Sequence, residues 1–85
     1  MAKFYFTYGL YGQPYVGGWT EITAPDIKAA CKLFKAVHPC KTGDVLNCAS
    51  MYVEEQFKML GMYENGNYGY KCREKIIYQI EGEQQ

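Results

Sequence analysis

Apolar and polar side chains alternate from the start of the chain, with Phe4, Phe6 and Tyr8 on one side and Lys3, Tyr5 and Thr7 on the other. A period of two carried by aromatic residues predicts a half-buried strand over Lys3 to Tyr8. "YVGGWTEI", Tyr15 to Ile22, predicts a second strand, and "GLYGQP" between them has the glycine and proline chemistry of a long hairpin loop. Gly17-Gly18 inside the second strand marks a bulge, or a place where another backbone or a ligand comes close; the bulge is the favoured reading.

The period then changes. In "TAPDIKAACKLFKAVHP" the residues Ile27, Ala30, Cys31, Phe34 and Val37 or His38 follow i, i+3, i+4, i+7, one apolar stripe on a helix of three to four turns. Thr23 with Asp26 approximates a capping box, Pro25 suits the first turn and Pro39 forces an end. After the loop "PCKTGDVLN", the segment "SMYVEEQFKMLG" predicts a shorter helix with Ser50 as N-cap, Val53, Phe57 and Leu60 as its apolar side, early glutamates and Gly61 as its stop. "YENGNYGY" is turn chemistry, and "KCREKIIYQIE" alternates Ile76, Tyr78 and Ile80 against Ile77, Gln79 and Glu81 as a last strand.

The order ββααβ predicts an α+β fold: a small antiparallel or mixed three-stranded sheet, one long helix across a face and a second short helix. One domain spans residues 1–85, with 82–85, "GEQQ", as a polar tail. A chain this short needs an efficient core, and nine tyrosines and four phenylalanines supply it. Tyrosine hydroxyls need water or partners, so several tyrosines must reach the surface.

Nine basic and nine acidic residues cancel, so no overall field steers the chain to nucleic acid or membrane. The N-terminus lacks the apolar core of a signal peptide, and no apolar run approaches the length of a membrane span. The expectation is a soluble cytoplasmic protein with four reduced cysteines, no disulfide framework, no cofactor and no membrane partner.

Three cysteines and the single histidine fall between Cys31 and Cys48. Zinc sites pair their ligands at spacings of two to five residues, and here only His38 and Cys40 are close; a site of His38, Cys40 and Cys48 with Cys72 is the best metal arrangement, and it is disfavoured. Cys31 and His38 lie roughly 10 Å apart along a helix axis, too far for a nucleophile and its base. Cys40 is the better nucleophile, but a helix C-terminus raises a thiol pKa. The favoured reading is a His38 that caps the helix end and a Cys40 in an ordinary loop. "CKTGD" lacks the glycines of a phosphate loop, and neither Glu54/Glu55 nor Glu81/Glu83 forms an acid–base pair. No catalytic residue is nominated, and the protein is read as non-enzymatic.

Two surfaces stand out instead. Lys28, Lys32 and Lys35 form a basic stripe opposite the apolar one, suited to phosphate or an acidic protein surface. Tyr11, Tyr15, Tyr68 and Tyr70, with neighbouring Asn and Gly, are the mixture that contact surfaces favour, and aromatic rings also stack on bases.

The stretches "FYFTYG", "GQPYVGGWTEITAPDIKAACKLFKAVHP" and "LNCASMYVEEQF" resemble small proteins of phages and conjugative elements of gut Firmicutes, which bring no catalytic motif to carry over. The resemblance implies a counter-defence factor of the anti-CRISPR kind, acting as monomer or homodimer on a host defence protein or nucleoprotein complex. The alternative it implies is a module that sequesters a nucleotide signal or a short nucleic acid. Inhibitors that mimic DNA are acidic, and the neutral balance speaks against that mode.

Overall fold

The N-terminal alternation becomes strand β1, Ala2–Thr7, in a computed structural model that describes residues 1–9, 13–40 and 46–79. The chain continues as β2 (Trp19–Ala24), α1 (Ile27–Val37), β3 (Ser50–Val53), α2 (Glu54–Met59), α3 (Met62–Asn65) and β4 (Cys72–Ile77). Strand order is β3-β1-β2-β4. β1 runs antiparallel to β2 and β3, with Tyr5 opposite Glu21 and Tyr52, whereas β4 joins β2 in parallel. The α+β class is as expected, but the sheet has four strands where three were predicted.

β1 is central, so both of its faces are covered. Phe4, Phe6 and Tyr8 pack with Ile22 and Ala24 of β2 under Ala30 and Phe34 of α1, and the Phe6 and Phe34 rings stack at 4.5 Å. Tyr5, on the expected outer side with Lys3 and Thr7, is fully buried on the other face with Trp19 and Phe57. Each such side chain contributes about 1.5–3 kcal/mol on burial, so two aromatic clusters back to back suit a short chain.

The long helix forms where expected, but its cap differs. Asp26 is itself the N-cap, accepting the Ala29 N–H at 2.8 Å, because Thr23 belongs to β2 and pairs with Lys3. Only Ala30 and Phe34 of the predicted stripe are fully buried; Ile27 and Val37, the first and last residues of the helix, are exposed.

The second predicted helix divides. Ser50 is no cap: Ser50–Val53 is the edge strand β3, with Met51 opposite Phe6 and Tyr52 opposite Tyr5, so the two side chains go to opposite faces. Helix α2 starts only at Glu54, and its glutamates do sit in the first turn. Phe57 points inward as predicted while Val53 and Leu60 are exposed. Gly61 ends α2, and Tyr63, Glu64 and Asn65, expected to turn, join Met62 in α3. Ile76 of β4 and Tyr78 just past its end pack on the α1-side core and Ile77 faces out, as the alternation required. Tyr11, the loop residues 41–45, Ile80 and the tail 82–85 lie outside the described residues. Among the described residues no helix is long and apolar enough to cross a membrane.

Candidate functional site

Where β1 ends, β2 and β4 begin, and three loop segments meet over that end of the sheet. The chain does not enter β2 at Tyr15 as predicted. Gly17 and Gly18 have φ of +80° and +75°, outside extended geometry, and lie before the strand. Gly17 donates to Tyr8 O at 3.0 Å and Gly18 to Asn67 O at 3.1 Å. The glycine pair is thus a close approach of another backbone, the reading sequence ranked second. The register shift of this region sits beside it, between Trp19 and Thr20 in the pairing with β4.

Asn67 ties the ends together. Its side-chain Nδ2 donates to Tyr8 O at 3.0 Å and to Gly18 O at 2.9 Å. Its backbone exchanges two hydrogen bonds with Tyr70, closing a two-residue turn over Tyr68 and Gly69. Both turn residues have positive φ, +52° and +79°, the signature of a type I′ hairpin. Glycine or asparagine is usual at the first of these positions; here a tyrosine is held there.

The result is an aromatic rim. Tyr68, 75% exposed, leans on Gly9, whose Cβ would lie 3.0 Å from its ring. Tyr70, 49% exposed, covers Gly17 and carries the Arg73 guanidinium 4.8 Å above its ring centre. Tyr15, 46% exposed and at φ +50°, stands edge-on to His38 and Tyr8. Two non-glycine residues in left-handed backbone, on one rim of a short chain, cost on the order of 1 kcal/mol each.

Beneath Tyr15 runs a polar chain. Thr20 Oγ1 donates to Glu74 Oε1 at 2.9 Å, Tyr8 Oη donates to Thr20 Oγ1, and His38 Nε2 donates to the same Glu74 oxygen. Burial pushes the Tyr8 hydroxyl well above the usual phenol range, which keeps the proton this chain uses. His38 does end α1, its N–H bonding to Phe34 O, but its side chain reaches across to β4 instead of capping the last carbonyls.

The cysteines are divided by the sheet. Cys31 and Cys48 border the α1-side core, while Cys72 packs beside Trp19 on the opposite face. This removes Cys72 from the metal arrangement considered with His38 and Cys48. Among the described residues no three His, Cys, Asp or Glu side chains gather as a metal site requires. Cys31, Cys48 and Cys72 are free, half-buried thiols. Burial, with Cys31 nearby, pushes the Cys48 thiol up to about 11, the reverse of nucleophile activation.

Lys28, Lys32 and Lys35 are exposed, but they do not lie opposite the apolar stripe. With Ile27 and Cys31 they line an open groove of about 490 Å³ along α1, their stems flanking its apolar floor. No family model, curated protein or solved structure matches the chain. What the rim and the groove present decides the functional reading.

Tyr15, Tyr68 and Tyr70 were readable from tyrosine beside Asn and Gly. Asn67, Thr20, Glu74 and Arg73 were not. The first had a faint signal in "NGNYGY"; Thr20 and Glu74 meet only through the parallel β2–β4 pairing, and no local pattern announces a contact between residues 54 apart in sequence.

Proposed function

We propose that this is a non-catalytic binding protein that docks a protein partner on the rim of Tyr15, Tyr68 and Tyr70, with Lys28, Lys32 and Lys35 as a second contact. The observation that carries it is Tyr68, displayed on a tight hairpin tip in a backbone conformation that a smaller residue would occupy at less cost. Strain held at an exposed aromatic residue is the mark of a contact group, and Tyr and Arg are the types that dominate interface energetics. The Arg73 guanidinium already takes one face of Tyr70, which favours a protein contact over base stacking. The resemblance to mobile-element proteins gives the partner: a host defence component, whose activity the docked protein blocks.

The test separates stability from binding. Tyr68→Gly relieves the turn, so the variant is expected to be as stable as the parent or up to about 1 kcal/mol more stable. The same variant is expected to lose at least tenfold in relief of defence, measured as phage plating on hosts carrying single defence systems. Unchanged relief by Tyr68→Gly and Tyr70→Ala together would remove the rim from function. Release of a stoichiometric nucleotide from heated protein would replace this reading with sequestration.

A further inference from the structure

β4 is an edge strand, and the pattern of its edge fits itself. The Tyr78 N–H bonds to Thr23 O at 2.8 Å, so Tyr78 and, two residues earlier, Ile76 turn their backbone groups toward β2. Lys75 and Ile77 consequently turn their N–H and C=O groups to the open side, where no described residue pairs with them. Ile77 is 62% exposed, a large apolar side chain on an unpaired edge, the arrangement that templates pairing with another strand.

We infer that a second copy of this chain pairs with β4 edge to edge, antiparallel, about a two-fold axis at Ile76. Charge and parity leave axes at Ile76 and Ile77, and the pairing of Glu74 with Tyr78 selects Ile76. Directly opposed residues must share a face, and the hydrogen-bonded pairs must be those with outward backbone groups. An axis at Glu74 opposes Glu74 to its own copy and Arg73 to Lys75; an axis at Lys75 opposes two lysines. The axis at Ile76 has neither fault: Lys75 faces Ile77, Ile76 faces Ile76, and Glu74 faces Tyr78. Both bonds to Glu74 converge on Oε1, leaving Oε2 to accept the Tyr78 hydroxyl of the other copy. The two sheets then form one of eight strands, with the aromatic rims at opposite ends of the dimer.

The edge is short, so the dimer is concentration-dependent, and sedimentation velocity over a concentration series reads it. Ile77 is exposed, and circular dichroism with thermal melts confirms that its variants fold. Ile77→Lys places lysine against Lys75 twice per dimer and is expected to weaken dimerisation at least tenfold. Ile77→Glu places opposite charges there twice and is expected to keep or strengthen it, an effect that addition of salt reverses. A parent protein that stays monomeric overturns the inference. So does loss of the dimer in both variants, which would mean apolar contact alone or a register centred on Ile77.

Discussion

Phe57→Ala is expected to cost about 3–5 kcal/mol, the range for removing a large aromatic side chain from a packed core. Phe57 is the single fully buried residue of α2 and α3. Its ring lies 4.3 Å from Tyr5 and nearly parallel to it, 5.0 Å from Trp19 edge-on and 5.9 Å from Tyr52. Tyr63 of α3, edge-on to Tyr5 at 6.1 Å, and the partly buried Met62 add contacts to the same cluster, but Phe57 is its centre. The ion pair between Lys58 and Glu54, 3.1 Å apart, joins two exposed side chains within α2 and anchors nothing. For a domain of this size such a loss lowers Tm by at least about 12 °C. Trp19 is the only tryptophan, so a red shift of its emission reports the opening of this face while α1 still covers the other. A cost below about 1 kcal/mol would show that α2 and α3 are held by something other than Phe57.

Gly18→Ala is expected to destabilise by about 3 kcal/mol through two separate effects. The residue sits at φ +75°, and a Cβ there would meet the carbonyl oxygen of Lys71 at 2.6 Å. That atom is backbone at the entrance to β4 and cannot swing aside. The start of β4 would have to move away from β2, breaking the Gly18 to Asn67 hydrogen bond. Gly17→Ala offers the contrast. Its Cβ would meet the ring of Tyr70 at 2.5 Å, a side chain that is half exposed and can rotate. The expected result is a smaller loss in denaturant melts for Gly17→Ala, together with weakened binding as Tyr70 leaves the rim. Equal stability losses would mean that Tyr70 is as fixed as the backbone.

Elements with a strong private pattern could be read from the chain: the Phe4/Phe6/Tyr8 alternation, the Ala30 and Phe34 spacing, the Gly61 stop and the Ile76/Tyr78 face. β3 could not. In "SMYVEEQFKML" the apolar residues Val53, Phe57 and Leu60 suit a helical face, while Met51 and Val53 alternate as in a strand, and only the place beside β1 selects the strand for 50–53. Burial of Tyr5 on a face expected to be wet has the same origin, since a central strand is covered by elements remote in sequence. The tyrosines of the rim were legible by composition and their convergence was not. That convergence depends on Asn67 holding Tyr8 and Gly18, and on β4 choosing the open edge of β2.

The parallel placement of β4 also decides when the rim exists. β1 and β2 are neighbours in the chain and close a short loop, whereas Thr20 and Glu74 are joined across a separation of 54 residues. The entropy of closing that long loop puts β4 docking late in folding. Until it docks, Tyr70 is not held over Gly17, Asn67 is not brought to the ends of β1 and β2, and His38 has no Glu74 to hold. A chain truncated before Cys72 would retain Tyr15, Tyr68, Tyr70 and all three lysines of α1 yet lack the strand that gathers the tyrosines, so recognition by the rim is confined to molecules that have finished folding.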